Sequence, residues 1–496
     1  MNRYSRLLVC SDDFCAVSLL LMTEKRQFRA VKGTRDILPP HSALWNWFEQ
    51  SARETLQSYN FREIRLPIFE ETALFARAVG ADTDIVGKEM FTFLDPFDRY
   101  ERQLKFLDEE LPKLDMAAQD LQKYLRDFSR KLEDLPEGDS ISLRPEATAS
   151  VARAYIEHGM QTLPGNQKLY YVGPMFRRER PQKGRYRQFY QIGAEVLGQS
   201  DRPAIDAEVL EMLLVLFRRA ALKDTTLYVN SIGCQECRGQ YVELLRRELQ
   251  KIRDNPATAG KLGPDSQRRI ETNPLRVLDS KLPEEQPVIE KLPRISDHLC
   301  AACRQHFAEL KEELTLRQIP YKENWRLVRG LDYYTRTTFE VTATGLGSQN
   351  AVCGGGRYDG LVELLGGPAG VKGIGFAIGT DRAILSIQES GNVPRLPGLS
   401  VFIARMGAKA YPLAVNVAGK LRARGLAVEL PPQEMKLGKA LGLADKLGAS
   451  YALIIGDEEV SSGTFTLKRL ADAQQKKLNE NELLEYLESE RRGSGA

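Results

Sequence analysis

The stretch GPMFRRERPQKGRYRQF, residues 173–189, is the most informative part of this 496-residue chain. Its centre, residues 176–187, places six basic side chains and one glutamate around the turn formers Pro181 and Gly184. Guanidinium groups bind phosphate oxygens in pairs and do not deprotonate, so this loop could hold a polyphosphate and neutralise charge at phosphorus. An exposed basic loop without a ligand is the common alternative, and the rest of the chain must decide between the two.

Two further clusters follow this loop. RGLDYY, residues 329–334, places an arginine, an aspartate and two tyrosines before the alternating segment 335–341, where hydroxyls and acids could bind a small polar ligand. The glycine-rich region 354–379, which ends just before Arg382, could let the backbone approach a ligand closely. Its spacing fits neither the Rossmann fingerprint nor the Walker pattern, so a nucleotide site here must be of another kind.

A length of 496 residues predicts two or three domains, and the composition, 42% hydrophobic and 28% charged residues, is that of a folded protein. A formal net charge of +3 excludes an overall polybasic protein, so a polyanion must be bound by local patches. The apolar run 16–22 is too short to cross a bilayer, and we expect no membrane partner. Seven cysteines without a convincing export signal favour a cytoplasmic protein.

Residues 1–24 precede the first recognisable structure. We expect them to be an extension that is disordered or, if translation begins at Met22 and not at Met1, mostly not translated. The sequence leaves both start codons open.

Hydrophobic periodicity divides the remainder into segments. Residues 25–229 and 323–393 mix helices and strands, and residues 394–496 repeat strand, helix, strand, which predicts a separate small α/β domain. Residues 230–322 are polar and mostly helical, and we interpret them as an insertion domain. Residues 97–138 form a charged helical arm whose leucines follow a coiled-coil seam. Its balanced charges favour a solvated helix or protein packing over nucleic-acid binding.

Local patterns give more detailed predictions. The spacing of apolar residues predicts a helix over 43–59 followed by a strand over 61–67, and a second helix over 205–222. Residues 90–94 and 141–143 are predicted to be two strands of one sheet, separated by the charged arm.

Several motifs, in this order along the chain, resemble those of histidyl-tRNA synthetases. They are KGTRDILPP (32–40), NFREIRLPIFEETALF (60–75), LRPEATA (143–149), GPMFRRERPQKGRYRQF (173–189), RGLDYY (329–334), GGRYDGL (355–361) and GIGFAIGTDR (373–382). The resemblance implies a class II catalytic domain, an antiparallel sheet flanked by helices, with a helical insertion domain and a C-terminal α/β anticodon-binding domain. The α/β and α+β multidomain chain would form a homodimer through the region of Pro67 and the helix before it.

The resemblance also implies an activity. The enzyme would activate L-histidine with ATP and Mg²⁺ to histidyl-adenylate and pyrophosphate, then transfer histidine to the 3′ end of tRNA(His). Arg177 would contact the α-phosphate and the carboxylate, Glu179 would lie near the adenine, and Arg382 would hold the γ-phosphate. Arg329 would be the catalytic arginine that supports the α-phosphate during in-line attack, with help from Arg185.

The histidine site follows from the same resemblance. Its members would be Glu146, Ala147, Thr148, Arg177, Gln191, Glu195, Arg329, Tyr333 and Tyr334. Acids and hydroxyls suit a ligand that offers N–H donors. The chain departs from the family pattern at Ala147, where glycine is usual and a methyl could narrow the pocket, and at Asp381, where glutamate usually precedes Arg382. The arm 97–138 is an additional departure.

Two CxxC pairs, Cys234/Cys237 and Cys300/Cys303, have the spacing of a structural zinc site, with His298 as an alternative ligand. Free thiols at helix ends are the other interpretation, because the resemblance does not make zinc a general requirement.

A noncatalytic, histidine-binding regulatory paralogue of ATP phosphoribosyltransferase is the alternative function. Such a protein is expected to lose the arginines of the nucleotide site and the last domain. Arg177, Arg329 and Arg382 are all present here, together with a plausible final domain from residue 399.

Overall fold

The computed structural model describes residues 27–80, 83–94, 105, 140–328, 330–346, 350–394, 396 and 398–493. The predicted extension 1–24, the arm 97–138 except residue 105, and Arg329 lie outside these described residues. The chain divides into two compact units, and the boundary falls between Val393 and Pro394.

The first unit contains a large sheet, a small sheet and the helices around them. Its elements are α1 (His41–Ser58), β1 (Arg62–Glu63), β2 (Phe69–Glu71), α2 (Thr72–Val79), β3 (Phe91–Leu94), β4 (Ser140–Leu143), α3 (Thr148–Glu157), β5 (Gln167–Phe176), β6 (Gln188–Gly198), α4 (Pro203–Arg219), β7 (Thr225–Ser231), α5 (Gln235–Asp254), α6 (Pro264–Thr272), α7 (Gln286–Ile289), α8 (Ala301–Leu316), β8 (Lys322–Glu323), β9 (Thr335–Ala343), β10 (Ala351–Arg357), α9 (Leu361–Leu364), β11 (Lys372–Gly379) and α10 (Thr380–Glu389).

Eight strands form the large sheet in the order β1-β5-β6-β11-β10-β9-β7-β8. Neighbouring strands are antiparallel except the edge pairs β1/β5 and β7/β8, which are parallel. The basic loop connects the antiparallel neighbours β5 and β6. Strand β6 also pairs with β11, which is distant in sequence, so the middle of the sheet joins the first and last parts of the unit.

Helix α4 shows how the sequence specifies one of the supporting helices. Pro203 stands in its first turn with Asp206, and Arg218 and Arg219 end it, which matches the helix dipole at both termini. Apolar side chains at helical spacing bury one face against α1 and α8. The predicted helices at 43–59 and 205–222 are confirmed as α1 and α4.

The small sheet has the order β2-β4-β3, with β4 antiparallel to both neighbours. The prediction that residues 90–94 and 141–143 belong to one sheet is therefore confirmed. The strand predicted over 61–67 is wrong beyond its first residues, because only Arg62–Glu63 pair with β5. That pair lies at a sheet edge, and Pro67 has no N–H to extend a ladder.

The mostly helical segment between β7 and β8 comprises α5 to α8 and packs on the sheet domain. Buried residues of α5, such as Tyr241 and Leu245, share one hydrophobic cluster with Tyr171 of β5 and Tyr333. This segment lies within the first unit.

The second unit is a small α/β sandwich. Its elements are β12 (Val401–Arg405), α11 (Ala410–Ala423), β13 (Val428–Glu429), α12 (Leu437–Lys446), β14 (Tyr451–Ile455), α13 (Asp457–Ser462), β15 (Thr464–Arg469), β16 (Gln475–Asn479) and α14 (Glu480–Gly493). The sheet order is β13-β12-β14-β15-β16, and its two faces bury separate apolar clusters. No helix among the described residues is both long and apolar enough to cross a membrane.

Candidate active site

A cavity of about 890 Å³ opens on the large sheet of the first unit. Three groups of polar side chains line it: a cationic group, a group of acids and hydroxyls, and a group from the helical segment. The cationic group is Arg177, Arg185 and Arg382, with Glu179 among them. The group of acids and hydroxyls is Glu89, Glu146, Thr148, Tyr333, Tyr334, Glu340 and Tyr358, with the amide of Gln191. The group from the helical segment is Arg268, Arg269, Arg276 and Lys281. Motifs that are far apart in sequence therefore meet at one site.

The cationic group is held by the backbone. Arg177 Nε donates to the Pro145 carbonyl at 2.9 Å, and Arg382 Nη1 donates to the Ala351 carbonyl at 3.0 Å. Arg185 forms an ion pair with the buried Glu179. Burial, together with the nearby Arg185, lowers the pKa of Arg382. Three guanidinium groups fixed around one space form a preorganised anion site.

The loop that carries Arg177 and Arg185 is a tight hairpin. Gln182 and Arg185 exchange backbone hydrogen bonds of 3.0 and 2.9 Å, and Gly184 takes a φ of +74° at the turn. The tip is tied to α10, since the Gly184 carbonyl accepts from Arg382 Nε at 3.3 Å. The hairpin therefore brings its arginines and Arg382 to the same wall.

Glu146 and Tyr333 belong to the acid and hydroxyl group. The Glu146 carboxylate accepts from the backbone N–H of Thr148 at 2.7 Å and of Ala149 at 3.0 Å, at the start of α3. Tyr333 donates its hydroxyl to Glu146 at 3.4 Å and packs its ring against that of Tyr334, with centroids 4.8 Å apart. Burial raises the pKa of Glu146, while the two backbone donors oppose this shift.

Glu195 lies behind this wall. It is 1% exposed and accepts from Thr148 Oγ1 at 2.7 Å and from the Tyr358 hydroxyl at 2.6 Å. Burial raises the pKa of Glu195 to about 8. Gly375 makes room for it, because a Cβ there would lie 1.6 Å from a Glu195 carboxylate oxygen. Glu195 therefore orients two residues of the cavity wall.

The structure brings together most of the residues predicted for the site. Ala147 is different: it is fully buried in the apolar core beside the cavity and does not line it. Its methyl therefore does not narrow the pocket directly. Asp381 is mainly structural, since it pairs with Arg35 at 2.7 Å and accepts from the Tyr190 N–H at 3.0 Å.

The glycines were expected to let the backbone approach a ligand. Gly375 and Gly379 do line the cavity, but several glycines mainly make room for neighbouring protein groups. A Cβ on Gly373 would lie 2.1 Å from the Tyr358 ring, and one on Gly355 would lie 2.2 Å from the Gly375 carbonyl. Close packing within the protein explains these two positions.

Sequence reasoning assigned no role to Tyr358, Glu89 or the four cations of the helical segment. Tyr358 stood inside a quoted motif, GGRYDGL, which was the available signal. Glu89 lies near Glu179. Burial raises the pKa of Glu89, and the negative charge of Glu179 raises it further. The cations at 268, 269, 276 and 281 lie in polar sequence without a motif, so only the fold reveals that they reach the cavity.

Arg357, from the same motif, is one of the largest buried side chains and lies outside the cavity lining. Its guanidinium contacts Asp206 of α4 at 2.6 Å, and Thr337 of β9 donates to the same carboxylate at 2.7 Å. This network joins α4 to strands β9 and β10.

The two CxxC pairs come together at the base of the helical segment. Their four Sγ atoms all lie within 4.8 Å of one another. Cys234 Sγ is 3.6 Å from Cys237 Sγ, which is 3.8 Å from Cys303 Sγ. Cys234 and Cys300 stand at the N-caps of α5 and α8. Burial opposes ionisation of Cys234, but hydrogen bonds from neighbouring N–H and S–H groups lower its pKa to about 7.

Comparisons with known proteins find similar chains over most of its length. Residues 111–383 match the family model described as histidyl-tRNA synthetase, and residues 400–490 match an anticodon binding domain. The chain is 48% identical to a histidine–tRNA ligase of Koribacter versatilis, over 92% of this chain and 96% of that protein. It is 49% identical to a histidine–tRNA ligase of Solibacter usitatus, over 93% and 99%. The apo histidyl-tRNA synthetase of S. aureus superposes with a TM-score of 0.68 and 33% identity, covering 93% of this chain and all of that one.

Proposed function

The chain belongs to the histidyl-tRNA synthetase family, and on that premise we propose that the cavity binds L-histidine and ATP side by side. The chain is an aminoacyl-tRNA ligase. It activates L-histidine with ATP to histidyl-adenylate plus pyrophosphate, and then transfers histidine to the 3′ end of tRNA(His). The observation that carries the proposal is the meeting of three guanidinium groups with a group of acids and hydroxyls in one cavity.

We assign ATP to the cationic group. Arg177 contacts the α-phosphate, Arg382 holds the γ-phosphate, and Glu179 lies near the adenine. Arg185 and Arg329 neutralise charge that develops during attack by the histidine carboxylate on the α-phosphorus. The support for these roles is that Arg177, Arg185 and Arg382 line one wall. Glu89 and Glu340 line the cavity and would offer carboxylate oxygens to Mg²⁺, which would supply positive charge to the phosphates.

We assign histidine to the group around Glu146. The α-amino group is held by Glu146, Thr148 and Gln191. The buried Oε1 of Gln191 has no hydrogen-bond partner among the described residues, so it can accept from an added donor. The imidazole lies against Tyr333 and Tyr334, and Glu195 acts on it through the residues it orients.

We propose two tRNA contacts. Arg268, Arg269, Arg276 and Lys281 of the helical segment line the cavity and approach the acceptor end, where cations suit phosphates. The unit from Pro394 onward reads the anticodon, with support from the match of residues 400–490.

We propose a cytoplasmic homodimer. The support for the dimer is a pair of exposed phenylalanines on one face of the small sheet, Phe69 of β2 and Phe93 of β3, close in sequence to Pro67. A second copy would cover these side chains. The described cysteines are all free thiols, as expected in a reducing compartment.

We propose a structural zinc ion at Cys234, Cys237, Cys300 and Cys303. A zinc–sulfur bond of about 2.3 Å gives a tetrahedron with sulfur atoms about 3.8 Å apart. The separations of 3.6 and 3.8 Å fit this requirement. Helix N-termini at Cys234 and Cys300 favour thiolates.

The regulatory-paralogue alternative is disfavoured. Such a protein is expected to lack the nucleotide-site arginines and the final domain. Arg177 and Arg382 line the cavity, and residues 400–490 match the anticodon-binding family.

The test is exchange of labelled pyrophosphate into ATP, with each amino acid in turn. We expect exchange only with histidine. Arg329→Ala and Arg382→Ala should each lose about a hundredfold to a thousandfold in rate, because a preorganised charge is removed. Arg180→Ala is the matched control, since Arg180 is exposed on the same hairpin and should exchange like the parent. A folded dimer that binds histidine without exchange would instead be the regulatory paralogue.

A further inference from the structure

The four-cysteine cluster lies directly against the strand that follows the cavity tyrosines. The turn before Cys234 pairs with Arg336, the second residue of β9, which follows directly after Tyr333 and Tyr334. Arg336 donates its N–H to the Gly233 carbonyl at 2.8 Å, and its own carbonyl accepts from the Ile232 N–H at 2.8 Å.

A side chain forms a second connection. Arg238, the residue after Cys237, donates from Nη1 to the carbonyl of Tyr334. Both Tyr333 and Tyr334 line the cavity. The segment 232–238 therefore holds the main chain at Tyr334 and at Arg336.

Two residues of this connection, Arg336 and Gly233, have left-handed backbone conformations. Arg336 has a φ of +49°, a left-handed conformation that a non-glycine residue keeps only when its surroundings enforce it. Gly233 has a φ of +71°, and a Cβ there would lie 2.5 Å from Cys237 Sγ. The turn therefore passes so close to the Cys237 sulfur that no side chain fits at residue 233.

We infer that the cysteine cluster with its zinc ion is a positioning device for the histidine pocket, acting on Tyr333 and Tyr334 through Gly233 and Arg238. This inference rests on the proposed zinc site and on the proposed function. The metal joins the N-termini of α5 and α8, the first and last long helices of the segment between β7 and β8, and fixes the turn from which these contacts arise.

The inference predicts a selective effect on histidine. Two of the arginines assigned to ATP, Arg177 and Arg382, are held by Pro145, Ala351 and Gly184, none of which belongs to the segment 232–238. Loss of the metal or of Arg238 should therefore shift the tyrosines and leave the ATP site in place. Displacing binding groups by about 1 Å costs up to a hundredfold, so we expect the histidine KM to rise about tenfold or more.

The experiment compares five full-length proteins: the parent, the Cys300→Ser/Cys303→Ser double variant, Arg238→Ala, Arg238→Lys and Arg247→Ala. Arg247 is an exposed arginine of the same helix and serves as the matched control. Zinc per chain is measured by atomic emission, and the KM values for histidine and ATP by pyrophosphate exchange.

We expect one zinc per parent chain and none in the double cysteine variant, with a raised histidine KM and an ATP KM within about threefold of the parent. Arg238→Ala should keep its zinc and show the same selective rise, which Arg238→Lys should partly reverse. Arg247→Ala should match the parent. If the cysteine variant does not fold, chelation of zinc from the parent with the same two KM measurements replaces it.

Three results would overturn the inference. If the parent contains no zinc, the metal has no part in positioning the pocket. If zinc-loaded Arg238→Ala has an unchanged histidine KM, the contact of Arg238 with Tyr334 does not position the tyrosines. Equal rises of both KM values would mean general loosening of the fold. A parent that shows no histidine-dependent exchange would refute the proposed function itself, which is a different outcome from these three.

Discussion

Glu195 is a buried carboxyl whose ionisation is unfavourable in the folded chain. Its pKa is about 8 there, against an ordinary value of 4.5, and burial is the main cause. The folded state therefore keeps a proton that the unfolded state releases. The stabilisation from this group is fully present below about pH 4.5 and is lost as the pH rises through about 8.

This linkage predicts how Glu195→Gln changes the pH dependence of stability. Relative to the variant, the parent should lose on the order of 1 kcal/mol of unfolding free energy per pH unit between about pH 5 and 8. The measurement is denaturant unfolding of the first unit in both proteins at three pH values in this range. A difference between the two proteins that stays constant with pH would contradict the prediction.

Gly375 is the position where a single methyl should do most damage to the site. Its Cβ would overlap the Glu195 carboxylate at 1.6 Å and approach the Ala194 carbonyl at 2.7 Å. Gly375→Ala should therefore lower histidine-dependent exchange about a hundredfold, because the orientation of Thr148 and Tyr358 depends on Glu195.

Gly379→Ala, on the same strand, supplies the comparison, since its Cβ would meet nothing closer than 3.9 Å. It should keep the fold and lose far less activity. Equal rates for the two variants would show that the overlap at residue 375 relaxes without cost.

For single residues, the sequence predicted which side chains belong near the site better than it predicted which of them line the cavity. Arg177, Arg382 and Tyr333 line the cavity as the motifs implied. Glu195 lies behind its wall, because strands β6 and β11 pair across a long stretch of chain and Glu195 faces Gly375. Ala147 is buried in the apolar core at the start of α3. The cysteine spacing raised the zinc hypothesis, but only the fold brings the four sulfur atoms together.

Among the secondary-structure elements, helix α4 is joined to strands β9 and β10 by a buried ion pair and a hydrogen bond. Arg357 is 1% exposed and Asp206 is fully buried, 2.6 Å apart. Removing one partner of such a pair leaves the other charge buried and unpaired, which costs about 3 to 5 kcal/mol. Arg357→Met should therefore lower the free energy of unfolding by this amount.

Denaturant titration checks this prediction, and the double variant Arg357→Met/Asp206→Leu is its control. The double variant should regain part of the lost stability, because the fully buried Asp206 carboxylate is removed, while Asp359, the second partner of Arg357, remains. If the single and double variants were equally destabilised, packing volume and not charge would be responsible.

Elements with strong local signals were the predictable ones. Helix α1 was predicted from apolar periodicity, and helix α4 and strands β3 and β4 of one sheet were also predicted from the sequence. The segment after Glu63 was mispredicted as strand, since strand length at a sheet edge depends on available partners and not on composition alone. The short π-helical turn Ile85–Glu89 gave no signal in the sequence.

For the whole molecule, the two units bury separate apolar cores. A chain that ends at Val393 should therefore keep histidine-dependent pyrophosphate exchange within about tenfold of the parent, since every cavity residue precedes that point. Its rate of tRNA(His) charging should fall about a hundredfold or more, because phosphate and base contacts of the last domain are removed.

The two assays on one preparation separate the outcomes. Loss of both activities would mean that the first unit depends on the second. Retention of full charging would assign recognition of tRNA(His) to the first unit alone.

The order of strands in the large sheet has a consequence for synthesis on the ribosome. Strand β6 has β5 beside it early, but its other neighbour, β11, ends at Gly379. Until that residue has left the exit tunnel, the nascent chain holds the hairpin β5–β6 with one edge open, a state prone to wrong pairing. A premature stop before Lys372 therefore yields a chain that lacks β11, the strand that joins β6 to β10 in the large sheet.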